Sequence, residues 1–358
     1  MRQISGRLAG CAALAALVLA CNPEKPVGPR SPAFDAAATP LVPLVEHIVA
    51  PQATDPAIDQ FLDNHYAWRD TTARTNHKLL VFMPGRGQTP AMFQRVQQEA
   101  ARLGYHVIGL SYVTILGGLG TVCPIDPDPA TCYENARLEV VDGIDRSPLA
   151  NVTRANSIDN RLTKLLQVLA AQYPDEEWAR FLLAGAKPKW SQIAISGHSQ
   201  GGNEAATIAK IRLVARVVLF SSVTDSVHAD APSWESTHIT PADRYWGIAH
   251  DRDAFFRAIR AGWDSLGLSA FGPAVAPEES EPPYGFTHML VTDLVPQLGF
   301  VGTTAHGSPV HDLDPLRNAD GSCCAPREIW WRYLLTARLP DEDESDTATN
   351  EISSGGGQ

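Results

Sequence analysis

Residues 193–209, IAISGHSQGGNEAATIA, set Gly197-His198-Ser199-Gln200-Gly201 between an apolar run and an Ala-rich segment with helical character. The order strand, sharp turn, helix is the context a G-x-S-x-G match needs, because the turn must be tight enough to lift a serine hydroxyl above the sheet. Ser199 is therefore a candidate nucleophile. A free serine hydroxyl is a poor one, so the chemistry also demands a neighbouring base. The flanking glycines remove Cβ clashes in the turn and let the helix pack close to the strand. His198 is next to the serine in the chain, but on such a turn its side chain points away, and a structural role is expected for it.

An acid that orients the base must lie just past the carboxyl end of a strand. Three aspartates meet that condition: Asp225 after VVLFSSVT, and Asp251 and Asp253 after YWGIAH. The base should follow the last strand, where GTTAHGSPVHD (302–312) offers His306 and His311 in a loop of small residues. His306, flanked by Ala and Gly, is preferred; His311 beside Asp312 could equally form a surface ion pair. His288 lies at the start of a strand and reads as structural. Neither H-E-x-x-H nor paired cysteine spacing accompanies HGSPVHD, so no metal is expected.

The elements that must position these groups alternate along the chain. KLLVFMPG (78–85) has a buried-strand pattern, TPAMFQRVQQEAARLG (89–104) has helical spacing, and YHVIGLSY (105–112) is the next strand. Residues 113–150 read as a long irregular loop. NSIDNRLTKLLQVLAAQYP (156–174) is the clearest helix, capped by Asn156 or Ser157 and followed by Pro174. After the strand into Ser199 and its helix come strands at 215–222 and 244–250, a helix at 254–266, a strand at 288–294 and a helix at 327–339. Strands alternating with helices predict a mostly parallel central sheet with helices on both faces. Such a sheet carries its site at the carboxyl ends of the strands.

Over most of residues 78–339 the chain resembles the α/β-hydrolase family. The strand ending in PGRG, the GHSQGG elbow, acids after the later strands and histidines downstream carry the resemblance, and the chain order nucleophile, acid, histidine is the family's. The resemblance implies the α/β-hydrolase fold and a serine hydrolase that needs no cofactor. It favours the HDRD pair as the acid, in the order Asp253, Asp251, Asp225. Asp253 comes first because apolar AFF follows it, and it could also cap the next helix. The family's oxyanion hole uses the backbone N–H after the nucleophile, here Gln200, and a second from MPGRGQTP. Arg86 is the preferred donor there and Gly87 the alternative. The expected reaction is hydrolysis of a small-molecule or lipid-like carboxylic ester. A peptidase or polyester depolymerase on the same fold, and a non-catalytic surface-binding lipoprotein, are the alternatives.

The ends of the chain bear on location. Residues 1–20 have a short basic start and the apolar run LAGCAALAALVLA, which is the layout of an export signal. VLAC resembles the lipobox of bacterial lipoproteins, so Cys21 is the expected lipidated residue; LAGC, ending at Cys11, leaves almost no apolar segment before it. The expected mature protein is anchored at the bacterial cell envelope by lipid. It has a flexible tether (21–40), a catalytic domain (41–339) and a disordered acidic tail (340–358). A net charge of −11 argues against a nucleic-acid partner. In an exported chain Cys123 and Cys132, which bracket the turn-rich CPIDPDPATC, are the preferred disulfide. Cys323 and Cys324 read as free or bonded elsewhere, since a bridge between neighbours would be strained. Seven of the eight tryptophans lie outside the motif strands and are expected to be packing residues.

Overall fold

The run LLVFM, Leu79–Met83, is a strand buried at every position in the computed structural model, which describes residues 43–114 and 117–339. A continuous apolar run without a polar face is what a strand covered on both sides requires. In chain order the strands are β1 (Val45–Val49), β2 (His65–Arg69), β3 (Leu79–Met83), β4 (His106–Gly109), β5 (Ile193–His198), β6 (Arg216–Phe220), β7 (Tyr245–His250) and β8 (Met289–Thr292). They form one sheet in the order β1-β2-β4-β3-β5-β6-β7-β8. Every pairing from β4 to β8 is parallel, while β2 runs antiparallel to both β1 and β4.

The longer helices are α1 (Gln94–Arg102), α2 (Pro129–Asp142), α3 (Ile158–Gln172), α4 (Gln200–Ile211), α5 (Phe256–Ser265) and α6 (Arg327–Thr336). Side chains alternate across a strand, so the two faces of β3 report two cores. Leu79, Val81 and Met83 join residues of α2, α3, α4 and α5, including Val140, Leu162, Ile208 and Ile259. Leu80 and Phe82 join Val96 of α1 and Trp331 of α6. The sheet is thus covered by helices on both faces, as the alternating pattern predicts. The described residues fall within one compact unit, Val42–Gln358.

Two parts of the fold depart from the sequence reading. The two amino-terminal strands were not expected, and the supposed loop 113–150 contains α2. Asp128 caps that helix by accepting a hydrogen bond from the Thr131 N–H at 3.2 Å, and Pro129 opens it. Gly143 closes it at φ 70°, a left-handed position that suits glycine. Its buried face includes Arg137 and Glu139 among Tyr133, Ala136, Val140 and Val141, so the apolar period that marks a helix is interrupted. For α3 the cap is Ser157, whose Oγ accepts from the Asn160 N–H at 3.2 Å.

Cys123 and Cys132 form the expected disulfide, tying the turn before α2 to its first turn. Cys323 and Cys324 are bonded to each other rather than free or bonded elsewhere. The peptide bond between them is cis and their Cα atoms are 3.0 Å apart. Of the seven tryptophans expected to pack, Trp190 is half-buried and the other six are buried. Among the described residues no helix is long and apolar enough to cross a membrane. The export signal, Cys21, the tether and the acidic tail lie outside the described residues.

Candidate active site

At the carboxyl end of β5 the chain turns into α4 through Ser199, which takes φ 52° and ψ −119°. That is a backbone few non-glycine residues adopt, and such residues cluster where the surrounding structure over-determines them for function. Several contacts hold it. The Ser199 N–H donates to the Phe220 carbonyl of β6 at 3.0 Å, and the Ser199 carbonyl accepts from the N–H groups of Gly202 and Asn203. Gly201 explains the second glycine of the motif: a Cβ there would collide with the Met83 carbonyl at the end of β3. The amino terminus of α4 therefore sits directly on the loop that follows β3.

That loop is Pro84-Gly85-Arg86-Gly87-Gln88. The Gly87 N–H donates to Thr114 Oγ1 at 3.2 Å. Those of Arg86 and Gln200 have no hydrogen-bond partner among the described residues. Two uncommitted N–H groups, one in the loop and one on the first residue of α4, are available to donate to an anion. Of the two candidates in the loop, Arg86 is the one whose N–H is uncommitted.

Asp253 and His306 come together from segments 53 residues apart, with His306 Nδ1 2.7 Å from Asp253 Oδ2. Asp253 follows β7, and His306 sits on the short helical turn Thr304–Gly307 after β8. The Asp253 carboxyl is fully buried, and its other oxygen accepts from the Phe255 N–H at 2.8 Å. Asp253 does not cap α5, whose N-cap is Phe255; its carboxyl instead bridges the turn before that helix and the His306 ring. Nδ1 faces Asp253, so in the neutral imidazole with its proton on Nδ1 the lone pair is on Nε2, the arrangement a general base needs. The Ser199 hydroxyl is half-buried and makes no hydrogen bond to a described residue. No hydrogen bond joins it to His306; a serine and its base can come into bonding distance only when substrate binds.

His198 joins these pieces. Its Nε2 donates to the His306 carbonyl at 3.0 Å, and its Nδ1 lies 2.9 Å from the Gln88 side-chain oxygen. Burial, aided by the neighbouring His306, holds the imidazole well below its ordinary pKa. The residue is a peg between the elbow, the loop after β3 and the His306 segment, which is the structural role the sequence predicted. His288 is structural too: its Nδ1 donates to the Tyr245 carbonyl at 2.7 Å and its ring stacks on Trp246 and Phe271.

The alternative acids and base lie elsewhere. Asp251 is exposed, beside His250, and His250 donates instead to the Leu294 carbonyl. His311 lies 3.5 Å from Asp314 and packs against the edge of Phe93, and it has no contact with Asp253. Asp225 is buried and bound at both oxygens by Arg137, at 3.1 and 2.6 Å. Arg137 also donates to Glu204 of α4 at 2.8 Å, and Asn203 donates to Asp225 at 3.0 Å. This network fastens α2 to the helix behind Ser199, and no histidine hydrogen-bonds to Asp225 among the described residues. Among the described residues no group of His, Cys, Asp and Glu could hold a metal ion.

A third carboxyl, Glu235, is buried near Asp225 and Arg137 with neither oxygen hydrogen-bonded. Burial, then Asp225, raises its pKa well above 4.5, against the pull of Arg137. The folded protein therefore holds this proton more tightly than the unfolded chain does. The stabilisation is complete below pH 4.5 and is lost as pH rises toward the folded pKa. As pH rises from 4.5 toward the folded pKa, the unfolding free energy of the wild type should drop relative to that of Glu235→Gln, by about 1.4 kcal/mol for each pH unit of that interval. Urea denaturation of both proteins at several pH values measures this. Parallel curves would show that the carboxyl stays ionised.

Compared with known proteins, the chain matches no protein-family model and no curated sequence.

Proposed function

We propose that this chain is a serine hydrolase of the α/β-hydrolase fold that cleaves carboxylic esters through Ser199, His306 and Asp253. One observation carries the reading above the others. The buried Asp253–His306 pair, 2.7 Å across, is fastened through His198 to the strained turn that bears Ser199. Strand order and the placement of each group support it: Arg86 follows β3, Ser199 follows β5, Asp253 follows β7 and His306 follows β8. All four stand at the carboxyl edge of one sheet.

In the proposed cycle Ser199 Oγ attacks the ester carbonyl while His306 Nε2 takes its proton. The carbonyl oxygen, now an anion, accepts from the N–H groups of Arg86 and Gln200. The tetrahedral intermediate collapses as the bond to the leaving oxygen breaks, and the proton on His306 passes to that oxygen to release the alcohol. Water then attacks the acyl-Ser199 ester with His306 as base, which frees the acid and restores the serine. Asp253 keeps the imidazole in the tautomer with the proton on Nδ1 and stabilises the imidazolium that forms in each half-reaction.

The reading extends to the place of work. A disulfide such as Cys123–Cys132 persists in an oxidising compartment, which favours the export reading. Anchoring through Cys21 rests on the sequence of the leader.

Reaction of the folded protein with a fluorophosphonate, followed by mass spectrometry of the labelled peptide, tests the proposal. Label on Ser199, lost in His306→Ala, is expected. A folded protein that stays unlabelled would overturn it.

A further inference from the structure

Of the sixteen large apolar side chains exposed among the described residues, six belong to Phe255 and the segment 295–313. They are therefore concentrated on the two segments that carry Asp253 and His306. Phe255 lies two residues past Asp253, and its ring centroid is 5.1 Å from that of His306. Phe300 stands over the same edge, with the Arg252 guanidinium 4.6 Å above its ring and His250 edge-on at 5.5 Å. Leu298, 65% exposed, is presented by a tight turn in which the Gly299 N–H donates to the Pro296 carbonyl at 2.7 Å. Val301, 58% exposed, is held by its N–H on Thr304 Oγ1, one turn before His306. Phe255 thus packs against the His306 ring, and Leu298, Phe300 and Val301 are exposed on the segment of chain that leads to it; together they form the apron. Soluble proteins seldom leave such side chains clustered without an occupant.

The chemistry of the site says which part of an ester would lie there. The carbonyl carbon must sit over Ser199, with its oxygen toward the Arg86 and Gln200 N–H groups. His306 delivers its proton to the departing oxygen, so the alcohol portion leaves on the imidazole side. We infer that the Phe255–Leu298–Phe300–Val301 apron receives the alcohol portion of the substrate, and that the enzyme selects esters of apolar alcohols, long-chain or aromatic. This rests on the hydrolase reading of Ser199. It adds a substrate class which that reading leaves open. Burial of an apolar alcohol against the apron in the transition state raises kcat/KM, while the acyl-enzyme formed is the same for every alcohol.

The test holds the acyl group constant and varies the alcohol. Ethyl and octyl acetate have leaving groups of similar basicity, so the ratio of their kcat/KM values reports how the apron treats the longer chain. The wild type should favour octyl acetate by about tenfold or more, as a few methylenes against apolar side chains commonly provide. Leu298→Ser and Val301→Ser, both exposed and free to change without opening a core, should each lower that ratio, and the double variant should bring it near one. Ile239→Ser should leave the ratio alone. That residue is equally exposed, but its N–H bonds to the Lys210 carbonyl near the far end of α4.

A wild-type ratio near one overturns the inference. So does an apron variant that lowers both acetates by the same factor, or one that alters the ratio of ethyl octanoate to ethyl acetate instead. In each of those cases Ser199 still turns over ester and takes the fluorophosphonate. Failure of the hydrolase reading itself looks different: neither acetate is cleaved and Ser199 stays unlabelled.

Discussion

Ser199→Ala is expected to lower kcat on short p-nitrophenyl esters by about 10⁴-fold or more, His306→Ala to lower it by a similar factor, and the double variant to fall little further. Near-complete overlap of the two losses follows from their division of labour. Without the imidazole the hydroxyl keeps its proton at neutral pH, and without the hydroxyl the imidazole has nothing to activate. The turnover that survives in each variant should be that of water attack assisted by the Arg86 and Gln200 N–H groups, which neither substitution touches. Neither change should unfold the protein. Ser199 Oγ makes no hydrogen bond to a described residue. The His306 segment stays attached through its carbonyl to His198 and through Thr304, whose Oγ1 donates to the Gly299 carbonyl. Steady-state kinetics of the three variants, with circular dichroism to confirm folding, supply the measurement. Losses that multiply in the double variant would mean that the two residues act independently. Wild-type turnover by Ser199→Ala would remove the serine from the chemistry altogether.

The elbow was legible in the sequence because everything it needs is local. One buried strand, two glycines and one helix within seventeen residues determine the turn, and the structure has it where the pattern lies. The central strands were legible for a similar reason, since Leu79–Met83 and residues 217–220, after Arg216, read as unbroken apolar runs. The strands β1 and β2 carry weaker signals. Val45–Val49 alternates half-buried and exposed positions at the edge of the sheet, and His65–Arg69 includes two basic residues. The helix α2 was hidden by the feature that makes it useful. Arg137 and Glu139 occupy its buried face, where a sequence pattern expects apolar residues, because they meet carboxylates and backbone donors from other segments.

The same distance effect explains why the acid could only be ranked. Asp225 and Asp253 both follow a strand, and the AFF after Asp253 ranks it first only by resemblance. What separates them is Arg137, which reaches Asp225 from 88 residues away, and His306, which reaches Asp253 from 53 residues away. Likewise, Arg86 could be preferred to Gly87 only by resemblance, and the physical distinction is the Thr114 hydroxyl that occupies the Gly87 N–H.

The three aspartates consequently fail in three different ways when each is changed to asparagine. Asp253→Asn should lower kcat by about 10⁴-fold while leaving KM within a few-fold, because the amide can hold the imidazole only in the wrong tautomer or with a weaker bond. In that state Nε2 carries the proton and has no lone pair for the serine. Asp251→Asn should change kcat by less than about twofold, since its exposed carboxylate is screened and His250 is already bonded to Leu294. Asp225→Asn should act on stability instead. It leaves a buried guanidinium with Glu204 as its remaining carboxylate partner, a change that costs about 3 kcal/mol when a buried ion pair is broken. The fraction that stays folded should keep a kcat close to that of the wild type. Kinetics and urea denaturation on all three variants therefore give a two-way separation: activity without stability for Asp253, stability without activity for Asp225, and neither for Asp251. A large kcat loss in Asp225→Asn with an unchanged unfolding midpoint would transfer the role of the acid to the strand before. It would also require Arg137 to release that carboxylate when substrate binds.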